Sequence, residues 1–256
     1  MPKDKIGRYG FMAEPFHCDF SQRLMMGHLG NHLLNAADFH SHDRGFGMSY
    51  LNGINKTWVL SRLAIEMEEM PPMYARFNVE TWVESAMRFF TNRNFMVQDA
   101  ENGKIYGYGR SVWAMIDTVT RQPANLFDIN DGALKEYIEK DKPCPIGKSS
   151  RVNVGDDARL VATIVSRYND IDINGHVNSV KYIEHVLDLF DLEWYRQHPI
   201  HRIEIAYVAE AHCGDTINIY RQDVEGELTT LVRMTKVVED GKDTEVEICR
   251  SLVVFK

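Results

Sequence analysis

Residues 169–178 place a carboxylate, an amide and an imidazole at alternate positions, in Asp172, Asn174 and His176. A carboxylate or an imidazole can transfer a proton, and an amide can hold a carbonyl group or a water molecule without changing its own charge. Gly175 and the small polar residues around it are typical of a tight turn. These residue types at this spacing predict a turn that can carry out acid–base chemistry.

The residues after this turn predict that a helix begins there. Apolar side chains recur at helical spacing over residues 178–190, namely Val180, Ile183, Val186, Leu187 and Phe190. The polar turn would therefore lie at the positive, N-terminal end of a buried helix. Backbone N–H groups at that end could hold a developing oxyanion.

Two other interpretations of the same residues compete with a catalytic one. Asp170, Asp172, Asn174 and Gly175 match early positions of an EF-hand calcium loop, but Lys181 stands at the twelfth position, where that loop needs a bidentate glutamate. Alternatively, the Asx residues only cap the helix and the histidine is a hydrogen-bonded core residue, which is the commoner outcome for an isolated turn of this type. The rest of the chain has to decide between a cap and a site.

Composition indicates an ordinary soluble globular protein of one large domain or two smaller ones, with 256 residues, 44% hydrophobic and 26% charged. A net charge of −8 disfavours nucleic acids and anionic membranes as partners, because basic surfaces bind both. The N-terminus lacks an apolar signal region, and no apolar run approaches the roughly 20 residues of a membrane span. We therefore expect a cytoplasmic enzyme. The four cysteines are widely spaced, which predicts free thiols instead of a zinc ribbon or redox pair.

The chain repeats one order of elements twice. Its first half predicts a helix from Leu33 to roughly Leu51, and its second half predicts the helix over 178–190. Each helix is followed by four alternating strands, at 63–67, 75–83, 93–98 and 110–116 and then at 202–207, 216–220, 228–235 and 245–255.

Turn and linker residues support the same division. Asn102-Gly103 and Asp240-Gly241 lie at equivalent places between the third and fourth predicted strands, and both pairs favour a hairpin. Glycine, proline and serine are frequent between residues 128 and 155, as in a linker. We expect an N-terminal repeat over 1–140, a linker over 141–155 and a C-terminal repeat over 156–256.

Residues 169–182, with the sequence NDIDINGHVNSVKY, resemble the catalytic segment of the acyl-acyl-carrier-protein thioesterases of plant plastids and bacteria. The segments 79–82, 91–103 and 111–121 are similar to the first repeat of that family, so the resemblance covers nearly the whole chain. It implies an α+β fold, a tandem (double) hotdog in which each repeat is a long helix wrapped by a curved antiparallel β-sheet.

The resemblance also implies a set of site residues, all of them in the second repeat: Asp172, Asn174, His176 and Glu210. The first half has Met70-Pro71-Pro72 at the place that corresponds to Glu210, and residues 27–32, ahead of its predicted helix, carry no Asp-x-Asn-x-His. The family pattern therefore implies that the N-terminal repeat binds the acyl tail and is not catalytic.

The implied reaction is hydrolysis of the thioester of fatty acyl-acyl carrier protein, which releases a free fatty acid and terminates fatty acid synthesis. Hydrolysis of a thioester mainly needs an activated water molecule and stabilisation of charge on the carbonyl oxygen. Glu210 would orient and deprotonate the water, and His176 would carry a proton or polarise the carbonyl. Asn174 would hold the carbonyl or the water. Asp172 would orient Asn174 or His176, or share the water with Glu210.

The partner implied is an acyl carrier protein with a phosphopantetheine-linked acyl chain, and no cofactor or metal is expected. Because the chain is acidic, docking would need a local basic cluster drawn from Arg88, Arg93, Arg110, Arg121, Arg202 or Lys181. A metal site at His28, His32, His40 and His42 is disfavoured, because their spacing lacks supporting cysteines or paired carboxylates.

One departure from the family bears on mechanism. The plant enzymes typically have a cysteine directly after this glutamate, whereas this chain has Ala211, with Cys213 two residues further on. The sequence therefore favours an activated water over a cysteine nucleophile. An acyl-CoA thioesterase, a hotdog hydratase and a non-catalytic acyl-binding module stay open as alternatives, as do a homodimer and the preferred acyl chain.

Overall fold

The computed structural model describes residues 4–238 and 244–256. The chain divides into two compact units, the first ending at Lys148 and the second beginning at Ser149. Within the described residues, none of the helices combines the length and hydrophobicity that spanning a bilayer requires.

The first unit is an antiparallel sheet with a long helix packed on it. The strands are β1 (Gly7–Met12), β2 (Lys56–Met67), β3 (Arg76–Ala86), β4 (Phe90–Asp99) and β5 (Ile105–Asp117), in the order β1-β3-β4-β5-β2. The helix α1 (Met26–His42) buries Leu29, Leu33 and Ala36, and a short helix α2 (Met48–Asn52) follows it.

The second unit has the same arrangement with a shorter helix. Its strands are β6 (Arg159–Val165), β7 (Ile200–Tyr207), β8 (Thr216–Asp223), β9 (Thr229–Val238) and β10 (Thr244–Phe255), in the order β7-β10-β9-β8-β6. Helix α3 (Ser179–Leu187) is capped by Asn178, whose side chain accepts a hydrogen bond from the backbone N–H of Val180. A second short helix, α4 (Leu192–Gln197), is capped by Asp191.

All eight predicted strands are confirmed, most of them longer than expected, but the predicted first helix is wrong at both ends. The observed helix α1 begins at Met26 and ends at His42. It ends there because Gly45 adopts the left-handed conformation, with a φ of 80°, and redirects the chain. A Cβ atom on Gly47 would lie 2.5 Å from the Cα atom of His42, so only glycine lets α2 begin so close to the end of α1. The second helix begins at Ser179, one residue later than predicted, and ends at Leu187, three residues early.

Two strands were absent from the prediction. Both units begin with an edge strand, β1 and β6, ahead of the helix. Strand β6 exposes large apolar residues, such as Leu160 at 54%, and β1 contains two glycines. Neither strand therefore has the alternation of apolar and polar residues that predicts a strand. The predicted turn at residues 100–103 joins β4 to β5, whereas the turn predicted at 239–242 lies outside the described residues.

The predicted linker is only partly solvated. Cys144 and Ile146 are buried against Trp82. The Arg110 guanidinium donates hydrogen bonds to both of their carbonyl oxygens, at 2.7 Å for Cys144 and 2.9 Å for Ile146. Proline and glycine end regular structure here, but the apolar residues between them still cover the outer face of the first unit's sheet.

Candidate active site

The turn that precedes α3, residues 172–177, is closed by its own hydrogen bonds. The Asp172 backbone N–H donates to the His176 carbonyl at 2.8 Å, and the Gly175 N–H donates to the Asp172 carbonyl at 3.0 Å. The Asp172 carboxylate accepts from the N–H groups of Asn174 at 2.8 Å and of His176 at 3.2 Å. Gly175 has a φ of 81°, which a residue with a Cβ atom rarely adopts.

The segment after β7 holds this turn from the side. The Val177 N–H donates to the Ala211 carbonyl at 2.8 Å, and His176 and His212 form an antiparallel bridge. The Asn178 N–H donates to the Asp170 carbonyl at 2.7 Å. These bonds fix the turn beside Glu210, which directly precedes Ala211.

His176 and Glu210 meet as a result. The Nε2 atom of His176 lies 3.5 Å from the Oε2 atom of Glu210, and the two side chains are 27% and 34% exposed. This separation exceeds an ordinary hydrogen bond. The imidazole and the carboxylate therefore face each other at a place that water can reach.

The two remaining predicted site residues are placed differently. The Asp172 carboxylate is occupied by the backbone of the turn, so its contact with the site runs through the main chain of Asn174 and His176. Asn174 is exposed at the tip of the turn. Among the hydrogen bonds of the described residues, none joins the Asn174 side chain to His176 or Glu210.

A lysine fixes the backbone at Glu210. Lys236, on β9, donates to the Glu210 carbonyl at 2.8 Å, and its ammonium lies 3.4 Å from Oδ2 of Asp215. The same Asp215 oxygen accepts a hydrogen bond from the N–H of His212 at 2.9 Å. The sequence spacing does not indicate Lys236, because only folding brings its strand, β9, next to Glu210.

His212 is a second residue that the sequence did not single out. Its ring centroid lies 5.0 Å from that of His176, and the two rings are nearly perpendicular at 85°. The nitrogen and oxygen donor atoms of His176, Glu210 and His212 all lie within 4.8 Å of one another. Its position two residues after Glu210 was an available signal, since alternate residues of an extended segment share a face.

Ala211 lies between these two surface residues and is fully buried. The position where the plant enzymes typically have cysteine is therefore inside the core of this unit. Cys213 is exposed, and Cys249 is buried, which raises the pKa of its thiol.

Burial also raises the pKa of Tyr207, whose hydroxyl donates to the Ser179 carbonyl at 2.9 Å.

Burial lowers the pKa of two histidines of the first unit, His40 and His32. His40 is fully buried with Nε2 at 3.0 Å from the Lys5 carbonyl, and burial together with the nearby Arg93 and Arg44 lowers its pKa to about 2. Burial lowers the pKa of His32 to about 4.

Both parts of the chain match a known family. Residues 10–137 match the acyl-ACP thioesterase N-terminal domain, and residues 155–250 match the acyl-ACP thioesterase C-terminal domain. The chain belongs to the acyl-ACP thioesterase family. An acyl-ACP thioesterase from Bacteroides thetaiotaomicron has a similar crystal structure, with 52% sequence identity, a TM-score of 0.89 and 98% coverage of each chain.

More distant members share the fold. The 12:0-ACP thioesterase from Umbellularia californica is 19% identical with a TM-score of 0.83, covering 99% of this chain and 98% of that one. The palmitoyl-acyl carrier protein thioesterase of Gossypium hirsutum is 26% identical over 212 residues, which are 79% of this chain and 49% of the relative. The chain thus spans about half the length of the curated relatives it matches. The predicted tandem hotdog fold is confirmed.

Proposed function

We propose that this protein hydrolyses the thioester of fatty acyl-acyl carrier protein, releasing a free fatty acid and so terminating fatty acid synthesis. The observation that carries the proposal is the His176–Glu210 pair, 3.5 Å apart beside the start of α3. Membership of the family supports it, since the Bacteroides thetaiotaomicron relative is named an acyl-ACP thioesterase. The second unit holds every residue of the proposed site.

The Glu210 carboxylate takes a proton from a water molecule as the water oxygen attacks the carbonyl carbon of the thioester. The carbonyl oxygen becomes an oxyanion, which His176 and the positive end of α3 stabilise. The intermediate collapses, the carbon–sulfur bond breaks, and the proton passes from Glu210 to the departing sulfur. The products are a fatty acid and the free thiol of the phosphopantetheine arm.

Asp172 and Asn174 have supporting roles in this proposal. Asp172 keeps the turn closed through its two backbone hydrogen bonds, so that His176 stays opposite Glu210. Asn174, at the exposed tip, holds the substrate carbonyl or the water once substrate is bound.

The partner in this proposal is an acyl carrier protein with its phosphopantetheine arm. Burial corrects the predicted docking cluster: Arg93 is 4% exposed and Arg202 is 9% exposed, so neither can face a partner. The Arg110 guanidinium is occupied by the Cys144 and Ile146 carbonyls. Exposed Arg88 and Arg121 are the better candidates.

The acyl tail is proposed to bind the first unit. Met67 is buried, and its side chain covers Gly107 on the neighbouring strand, where any Cβ atom would collide with it. A flexible thioether over a glycine can give way to an apolar chain. Replacing Met67 with alanine is expected to shift the preferred chain length.

The test is a panel of acyl-ACP and acyl-CoA thioesters of graded chain length, assayed with wild type, Glu210→Gln and the matched control Glu225→Gln. Glu225 is an exposed carboxylate on the turn between β8 and β9. We expect wild type and the control to hydrolyse carrier-linked substrates, and Glu210→Gln to be at least about 100-fold slower. Preference for CoA substrates, hydration of enoyl thioesters, or binding without turnover would each contradict the proposal and favour one of the alternatives.

A further inference from the structure

Three potential metal ligands converge at the proposed site. The Nε2 atom of His176 and the Oε2 atom of Glu210 are 3.5 Å apart, and the donor atoms of His176, Glu210 and His212 all lie within 4.8 Å of one another. Two imidazoles with one carboxylate form a donor set that Zn²⁺ prefers, whereas Ca²⁺ and Mg²⁺ favour oxygen ligands.

The distances suit a tetrahedral ion. Two ligands of one Zn²⁺ are about 3.3 Å apart when each bond is about 2.0–2.1 Å. The His176–Glu210 separation of 3.5 Å already fits, and exposed His212 has room to rotate toward them. Partial exposure of all three side chains leaves the fourth position open to water or to an incoming ligand.

A carboxylate lies behind the third ligand. The Nδ1 atom of His212 is 3.9 Å from Oδ2 of Asp215, so Nε2 is the ring nitrogen that remains for an ion. A carboxylate behind a ligating imidazole orients the ring and strengthens it as a ligand. The ammonium of Lys236, which lies close by, is turned to Asp215 and to the Glu210 carbonyl.

We propose that His176, Glu210 and His212 bind Zn²⁺, and that the bound ion inhibits hydrolysis. Inhibition follows because the ion occupies the Glu210 carboxylate that would otherwise take the proton from water. The inhibition rests on the proposed function, whereas binding of the ion does not.

Binding is tested by isothermal titration calorimetry of ZnCl₂ into the purified full chain after treatment with chelator. Wild type should bind one ion, and His212→Gln should bind at least about tenfold more weakly, because it loses one of three ligands. Cys213→Ser tests whether the neighbouring exposed thiol is the true ligand. His42→Gln is the matched control, since His42 is an exposed histidine of the first unit.

Wild-type affinity in His212→Gln, or loss of binding in Cys213→Ser, would overturn the proposed site, as would a wild type that binds no Zn²⁺. Circular dichroism of each variant excludes loss of fold as the cause.

Activity provides the second measurement. Zn²⁺ should reduce wild-type hydrolysis, EDTA should restore it, and His212→Gln should need about tenfold more Zn²⁺ for half-inhibition relative to its own zinc-free rate. Binding by calorimetry without inhibition would support the ion site and count against Glu210 as the base. The two proposals can therefore fail separately.

Discussion

The turns that precede the long helix of each unit have the same backbone and different chemistry. In the first-unit turn, residues 19–24, the Asp19 carboxylate accepts from the N–H of Ser21 at 2.8 Å and of Arg23 at 3.4 Å. The Asp19 N–H donates to the Arg23 carbonyl at 2.9 Å, and Gln22 has a φ of 60°. Asp172, with the N–H groups of Asn174 and His176 and with Gly175 at positive φ, repeats this pattern.

The anchors of the two turns correspond as well. The Leu24 N–H donates to the Pro71 carbonyl at 2.9 Å, as Val177 does to Ala211, and Arg23 bridges to Pro72 as His176 does to His212. Arg23, Met70 and Pro72 therefore occupy the places of His176, Glu210 and His212.

The comparison separates structure from chemistry. Aspartate is present in both turns and makes the same backbone hydrogen bonds, so closing the turn is its shared task. Groups able to transfer a proton distinguish the second unit, which has His176 and Glu210. The first unit has Arg23 and Met70 at those places. In the first unit, the Arg23 guanidinium donates to the Met70 carbonyl at 2.7 Å. In the second unit, a histidine stands at the equivalent position, and Lys236 from β9 holds the corresponding carbonyl instead.

The largest effect is expected when first-unit residues replace their counterparts. Glu210→Met and His176→Arg should each lower turnover by about 100-fold or more, because each removes a group to which we assign a chemical role. The fold should persist, because the first unit has methionine and arginine at the corresponding places. Steady-state kinetics with circular dichroism measure this. Met70→Leu is the matched control and should be active; a folded, fully active Glu210→Met would remove the chemical distinction between the turns.

Acid should destabilise the first unit through His40. Its pKa is lowered from 6.5 to about 2, so the folded state keeps it neutral while the unfolded chain binds a proton below pH 6.5. Stability should therefore be complete above pH 6.5 and fall by about 1.4 kcal/mol per pH unit below it. Urea unfolding between pH 7 and pH 5 measures this slope. His40→Asn should have a shallower slope, and an unchanged slope would show that other groups cause the acid sensitivity.

Replacing Lys236 should have an intermediate effect on the rate of hydrolysis. Lys236→Met frees the Glu210 carbonyl, and we expect kcat to fall about tenfold with KM little changed, because a misplaced base lowers the rate of the chemical step. Lys236→Arg should recover most of the rate, since the guanidinium of Arg23 holds the equivalent carbonyl in the first unit. Lys56→Met is the control, because Lys56 pairs with Asp117 in the first unit. Equal losses in the methionine and arginine variants would argue against positioning by hydrogen bonding.

Replacing either turn aspartate should lower the free energy of unfolding by a similar amount. Asp172→Ala and Asp19→Ala each remove an acceptor from two N–H groups, for which we expect about 1 kcal/mol of unfolding free energy. Asp172→Asn keeps an oxygen acceptor and should lose only a few-fold in rate, far less than Glu210→Gln. A loss with Asp172→Asn as large as that with Glu210→Gln would mean that the carboxylate takes part in the chemistry.

Cys213 should have the smallest effect. Cys213→Ala should keep most activity, because the proposed attack is by water and the position after Glu210 is a buried alanine. Mass spectrometry of the stalled reaction should find no acyl group on Cys213. An acylated Cys213 together with an inactive alanine variant would restore a cysteine mechanism.

The sequence predicted those features of the fold and site that depend on residues close together in the chain, and missed those that depend on distant residues. The turn at Asp172 and the inner strands follow from local spacing and alternation, and both were predicted. The start of α1 was missed because glycines and histidines at residues 27–32 hide its apolar face. Placing that helix too late also concealed Asp19 as the counterpart of Asp172. Lys236 was missed because a strand far along the chain brings it to the site.

The cysteine environments make the site accessible to spectroscopic labelling. Burial raises the thiol pKa of Cys144, Cys249 and Cys18, whereas Cys213 is exposed three residues after Glu210. A maleimide dye should therefore react first at Cys213 without any prior mutation. Such a dye would lie beside the His176–Glu210 pair, and a change in its emission on adding acyl-ACP would report substrate binding in real time.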